Sequence, residues 1–402
     1  MGTPAVNKAA DSGRLVDDLA KRVSPGRLRE LTLDLVRIPS PTGDSEAVTA
    51  RYAEAVRGLG LEVAVLHDLP GGPSTVARLP GAGGGRALTL DGHLDTIHAP
   101  HPPPRLEGER IVGRGAGDMK SGIAAMVEAA RVLIESGVRL GGTLTLATHS
   151  LHEAPVGHME GLRALIARGD VFTGAALVAE CDSDSLAIRG KGQALFELEA
   201  TRPGEVLHEN VARPQGVPNP LDYVARVAAR LLARGEELAA ADDPLLGPET
   251  FFLGQLHGGD FYNRVPVRAT LNGTFRCWPN RTWASVEAEF ARLLGDVPRP
   301  EGLEASLRLV SNGLGYEVSP EEPLVAALRG AFRRVAGREL PLGGALSVCD
   351  VNVIVREAGI PAVAHGTGST TAHADLEWVD LAGIVRATRV YLATIVGYLG
   401  VA

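Results

Sequence analysis

The chain is poor in aromatic residues, which make up 4% of its 402 positions. That excludes a stacking platform for sugars or single-stranded nucleic acid. It has three cysteines, Cys181, Cys277 and Cys349, an odd number without a CxxC pair. A disulfide framework is therefore not expected, and a reducing compartment is. No cluster of lysine and arginine stands out, and the formal net charge is -8. This argues against nucleic acid or an anionic membrane as the main partner. No run is apolar enough to span a bilayer. The first residues alternate charged and small side chains without the apolar stretch of a secretory signal. A cytoplasmic location is the expectation, with residues 1–25 a flexible leader.

What is present is a large apolar fraction, 45% of residues, enough for a sizeable core. Apolar strand patterns such as RALTLDGHLD, GTLTLATHSL and AALVAE alternate with helical ones such as GIAAMVEAARVLIESG. Strands alternating with helices predict an α/β sheet covered by helices. Between about Ala187 and Leu309 the order changes to strand, helix, strand, strand, helix, strand. That β-α-β-β-α-β succession predicts a ferredoxin-like unit inserted into the α/β unit. The expected domains are thus 1–186 with 310–402, and 187–309.

Several polar residues fall at the ends of apolar strands, where open α/β sheets build their sites. Asp91-Gly-His93-Leu-Asp95 ends one strand; Asp95 is placed to accept the second ring N–H of a ligating His93. Gly113-Arg-Gly-Ala-Gly-Asp118 opens the long helix, where an aspartate is commonly only an N-cap. His152-Glu153 and Glu180 each follow a strand, and Gly366-Thr-Gly368 leads to His373. Taken singly, each reads more readily as a surface, loop or capping residue than as a ligand.

Their joint order is more specific. LTLDGHLDT, GRGAGDMKSG, AHADLEWV and the inserted unit together resemble the zinc-dependent aminoacylase, acetylornithine deacetylase, succinyl-diaminopimelate desuccinylase and carboxypeptidase G family. The resemblance implies a zinc-peptidase-like catalytic domain with a ferredoxin-like lid and dimerisation domain. It implies two Zn2+ ions, with Co2+ or Mn2+ accepted by a similar ligand set. His93 and Glu180 would serve one ion, Glu153 and His373 the other, with Asp118 bridging and Asp95 supporting His93. In the lid, His208 would reach the neighbouring subunit's site to stabilise an oxyanion, which makes a homodimer expected. Asn263 and Arg276 would bind substrate, Arg276 through a fork on a carboxylate, although a strand-edge salt bridge suits it equally. Gly366 and Gly368 would offer backbone N–H groups. The implied reaction is hydrolysis of an amide in a small N-acyl amino acid, dipeptide or related metabolite.

One position departs from the family. The residue before the ligand Glu153, a glutamate that carries protons in the family, is His152 here. Several readings follow. His152 takes over as the base, since an imidazole suits neutral pH. Alternatively, the base comes from His158 or Glu160 in the following loop. In a third reading the protein is a di-metal enzyme with altered chemistry in a specialised biosynthetic pathway. A fourth, Glu153 as base and His152 as ligand, is the least favoured, because adjacent strand residues face opposite ways. A non-catalytic binding protein is the remaining alternative. The other histidines, His149 and His365 among them, read as surface or supporting groups, with His365 best placed to line the cleft.

Overall fold

The computed structural model describes residues 5–181 and 183–402, with side-chain surroundings from residue 13 onward. Two compact units emerge. The first comprises the described residues up to Ile188 with Val318–Gly343 and Cys349–Ala402; the second is Arg189–Glu317 with Gly344–Val348.

The first unit is built on a six-stranded sheet. Its strands lie in the order Val63–Leu66, Ser74–Leu79, Thr143–His149, Ala87–His93, Ala175–Val178 and Ala362–Ala364. The last four run parallel and the first two pair antiparallel. The central strands are buried on both faces, which is why they read as nearly continuous apolar runs rather than as alternations. Helix Ser121–Glu135 is buried over its first 13 residues. It packs against Leu381–Leu399, which also covers Pro323–Ala336. Gly122 permits the close approach of this helix to the sheet: a Cβ there would lie 1.8 Å from the Ala179 carbonyl oxygen.

In-register pairing aligns the carboxyl ends of three parallel strands. His93 is opposite His149, and Asp91 is opposite Val178. The residues just beyond each strand therefore emerge at one edge, the usual place for a site in such sheets.

The second unit carries an antiparallel sheet in the order Thr250–Gly258, Arg268–Cys277, Gly192–Thr201, Glu304–Ser311. In chain order the strands are second, third, first and fourth, with helices Pro220–Leu238 and Trp283–Gly295 in the intervals. This is the predicted ferredoxin-like arrangement. Gly192–Thr201 alternates buried and less buried residues at period two. Phe196, Phe275 and Phe290 centre the core between sheet and helices. Asn219 and Thr282 cap the two helices.

Two expectations change. The leader predicted over residues 1–25 is outside the described residues only for 1–4; beyond them runs helix Ala5–Lys21. Val16 and Leu19, three residues apart on one face, are buried, and the helix packs on Leu381–Leu399. Arg334 also holds Asp17 at 2.7 Å. The unit boundaries likewise fall at Ile188 and Glu317 rather than 186 and 309, because the short strand Tyr316–Glu317 pairs with Arg189 and Gly190. No helix among the described residues is long and apolar enough to cross a membrane.

Candidate metal centre and active site

The aligned strand ends bring five of the predicted residues together in the first unit. Asp118 lies between two imidazoles: Oδ1 is 3.1 Å from His93 Nε2, and Oδ2 is 3.2 Å from His373 Nε2. His373 Nε2 also lies 2.9 Å from Glu153 Oε1. Glu180 Oε2 stands 3.8 Å from His93 Nε2, while its Oε1 is buried without a hydrogen-bond partner among the described residues. His93 Nδ1 donates to the Asp95 backbone carbonyl at 2.9 Å, fixing the ring so that Nε2 faces Asp118.

Three carboxylates gathered this way leave negative charge that the imidazoles can only partly offset. Burial opposes a charged His93, but its bonds to Asp118 and Glu180 prevail and hold it well above the ordinary imidazole value. Hydrogen bonds donated to the carboxylates of Asp118 and Glu153 raise His373 to about 10. Burial works to raise Asp118, yet the two imidazoles lower it strongly. Burial raises Glu180. A donor set of nitrogens and oxygens with excess negative charge and an unpartnered buried carboxylate oxygen fits divalent cations.

The supporting contacts differ from the expected ones. The Asp95 carboxylate does not take the His93 ring proton. Its Oδ2 accepts instead from the backbone N–H groups of His152 (2.9 Å) and Glu153 (3.2 Å), and from the Thr42 hydroxyl (2.7 Å). Asp95 thus anchors the turn carrying both residues. Glu377, quoted in its motif but given no role, is buried beneath Asp118. Its carboxylate accepts from the N–H groups of Gly115, Gly117 and Asp118 and from Arg114.

His152 belongs to the centre. Its ring stacks on His93, with centroids 3.9 Å apart and planes 6° from parallel. Nδ1 is 3.0 Å from Asp350 Oδ1, and Nε2 has no hydrogen bond among the described residues. Asp350 Oδ2 is 3.1 Å from His149 Nε2, and behind His149 lies Asp91 Oδ2 at 3.7 Å. Asp350, His149 and Asp91 are fully buried. Sequence reasoning missed this chain because Asp350 is about two hundred residues away from the histidines, and His149 reads as one more strand residue. Burial and the neighbouring His93 oppose a charged His152, but Asp350 raises it. The objection that His152 and Glu153 must face opposite ways falls away: the strand ends at His149, and Leu151 turns the chain with φ 60°.

Other expected positions lie elsewhere. Glu160 gives its carboxylate to the His158 backbone N–H, at 2.6 Å. His365 is fully buried between the rings of Phe332 and Tyr391, not at the edge of a cleft. Gly366 packs on the Glu180–Cys181 backbone; a Cβ on it would meet the Cys181 carbonyl oxygen at 2.2 Å. Gly368 has φ 84°. In the second unit, His208 Nε2 and Asn263 Nδ2 are 2.9 Å apart at the surface. Arg276 has no ion-pair partner among the described residues, and its Nη1 is buried without a hydrogen bond, so the strand-edge salt bridge is not formed.

A sequence model of peptidase family M20/M25/M40 matches residues 89–396, spanning both units and the metal centre. The chain belongs to this family. It is an M20 metallohydrolase, of a family with dinuclear metal sites. A succinyl-diaminopimelate desuccinylase of Gluconacetobacter diazotrophicus is 28% identical over 94% of this chain and 99% of its own. An N-formyl-4-amino-5-aminomethyl-2-methylpyrimidine deformylase of Bacillus subtilis is 26% identical over 91% and 93%. Among solved structures, the M20 family metallo-carboxypeptidase of Sulfolobus solfataricus superposes with a TM-score of 0.78 at 17% identity. That match covers 92% of this chain and 99% of that one. These structural likenesses carry the M20 fold.

The buried His149 pair generates a pH prediction. Burial disfavours its imidazolium, but Asp350 and Asp91 lift it to about 10 from 6.5. A raised folded value means that the stabilisation is complete below about pH 6.5 and is lost as pH rises through about 10. The melting temperature of metal-free protein should therefore fall across that window, with His373 contributing beside His149, and His149→Gln should make the fall shallower. An equally steep fall in the variant would place the titration elsewhere.

Proposed function

We propose that the chain hydrolyses the amide bond of a small N-acyl amino acid, dipeptide or related metabolite. The convergence of His93, Asp118, Glu153, Glu180 and His373 carries this reading. His93, Asp118 and Glu180 would hold one divalent cation, and Asp118, Glu153 and His373 the other; zinc is proposed for both, with cobalt or manganese as substitutes. When bound, such a pair acidifies water and polarises the scissile carbonyl.

The protein's own residues do the remaining work. Asp350 accepts the Nδ1 proton of His152 and so presents Nε2 as the acceptor. His152 then takes a proton from the attacking water and returns it to the leaving nitrogen, the task of a glutamate elsewhere in the family. Adjacent cations disfavour an imidazolium; the buried Asp350 carboxylate opposes that effect. Asp95 holds the His152–Glu153 turn in place. Arg276, half-buried and without an ion-pair partner among the described residues, is suited to a substrate carboxylate through its planar fork. Gly366 and Gly368 would offer backbone N–H groups beside Glu180. His208, exposed with Asn263, would serve a neighbouring subunit by stabilising the oxyanion.

That last role needs a homodimer. The second unit offers an edge strand, Thr250–Gly258, with Phe252 and Leu256 exposed. Such an edge is suited to pairing with a second copy.

The presence of an imidazole where a carboxylate is usual favours a second reading, in which the centre performs altered chemistry on a nitrogen-containing metabolite. One experiment separates the two. On a panel of N-succinyl, N-acetyl and N-formyl amines, the metal-loaded parent should show amide hydrolysis. His152→Ala should lower kcat/KM by about 10²–10⁴-fold. A parent inactive on the whole panel, with a His152→Glu variant that hydrolyses it, would establish the second reading instead. Separately, sedimentation should give a dimer that Phe252→Asp converts to monomer; a monomeric parent would remove the proposed role of His208.

A further inference from the structure

Beside the proposed catalytic pair lie two thiols that the proposed hydrolysis does not use. The thiols of Cys181 and Cys349 lie close together beside Glu180. One ligand atom from each of Glu180, Cys181 and Cys349 falls within 4.8 Å of the other two. Cys349 is buried, whereas Cys181 is exposed, which gives the group an opening to solvent. Both thiols belong to the first unit.

We infer that Cys181, Cys349 and the unpartnered Oε1 of Glu180 form a further, inhibitory metal position for a thiophilic divalent cation such as zinc or cadmium. Three observations carry it. The spacing is compatible: tetrahedral zinc with ~2.3 Å bonds to sulfur places two sulfurs ~3.8 Å apart, and the three ligand atoms here all lie within 4.8 Å of one another. An oxygen is at hand, since Glu180 is 8% exposed and its Oε1 has no hydrogen bond among the described residues. The backbone is clamped as well. Cys181 has φ 70°, a conformation that side-chain-bearing residues seldom adopt, and Gly366 packs on its peptide too closely for any Cβ. A non-glycine residue held in left-handed backbone is a cost that surrounding structure must maintain, and such residues cluster at functional sites.

The chemistry balances without a redox step. Binding one divalent cation releases the two thiol protons to solvent and forms two metal–sulfur bonds; the carboxylate is already ionised when it binds. Soft thiolates favour zinc and cadmium over harder ions such as manganese. Glu180 is the link to activity. It is also a proposed ligand of the catalytic pair, so a cation that draws Glu180 toward the thiols weakens that pair. Cys181 follows Glu180 directly, and Cys349 precedes Asp350, the partner of His152. Filling this position would therefore disturb both the metal ligand and the proton carrier.

The inference builds on the proposed metal centre but has its own signal. Protein loaded with two equivalents of zinc, kept reduced with a phosphine, is titrated with cadmium alone. The expected result is near-ultraviolet thiolate-to-cadmium absorption that saturates at one further equivalent, with two thiols lost to a thiol reagent. Amide turnover should fall about tenfold or more over the same range, a loss typical of disturbed metal-site support. Cys181→Ser and Cys349→Ser should each abolish the absorption while still binding two zinc ions and keeping turnover. Absence of the absorption, its persistence in both variants, or cadmium uptake only by exchange for the two zinc ions would each overturn the inference. Absorption and metal counts decide the matter even where no amide is turned over.

Discussion

The structure depends on a concentration of negative charge that the fold holds at one sheet edge. Asp118, Glu153 and Glu180 arrive on separate elements and meet around two imidazoles. Carboxylates that are largely buried and close together are costly unless positive charge lies between them. In the protein alone, protonated His93 and His373 supply it, which is why both bind protons more tightly than a free imidazole. Divalent cations would replace those protons. The parallel sheet, the tight approach at Gly122 and the Glu377 clasp on the Gly115–Asp118 turn all keep these groups in reach of one another.

Much of this was legible in the sequence, for definite physical reasons. Strands buried on both faces leave unbroken apolar runs, so the polar residue just past each run marks the site edge; His93 and Glu180 are found this way. Gly192–Thr201 has a period of two because one face of its sheet meets helices. What the sequence hid was pairing at long range. Nothing near Asp350 announces that it joins His149 and His152, and nothing near Asp95 shows that its carboxylate holds backbone N–H groups rather than the His93 ring. The helix over Ala5–Lys21 was hidden for a different reason. Its apolar face is narrow, resting on Val16 and Leu19, and is dominated by charged and small neighbours.

The same long-range pairing changes how the departure at position 152 is understood. A histidine in place of a glutamate, viewed alone, suggests a weakened base near two cations. Stacked on His93 and bonded to a buried carboxylate that is itself bonded to His149, it is a supported imidazole with a fixed tautomer. The M20 fold thus gathers the candidate cation ligands beside an imidazole that is held by a buried carboxylate.

The central claim is that these five side chains hold two divalent cations at one place. Elemental analysis of metal-replete protein, purified free of tags and chelators, tests it most directly. The account predicts two equivalents per chain in the parent and a loss of at least one when Asp118 is replaced by Asn. A parent that retains no metal, or an Asp118→Asn variant that keeps both equivalents, would contradict it.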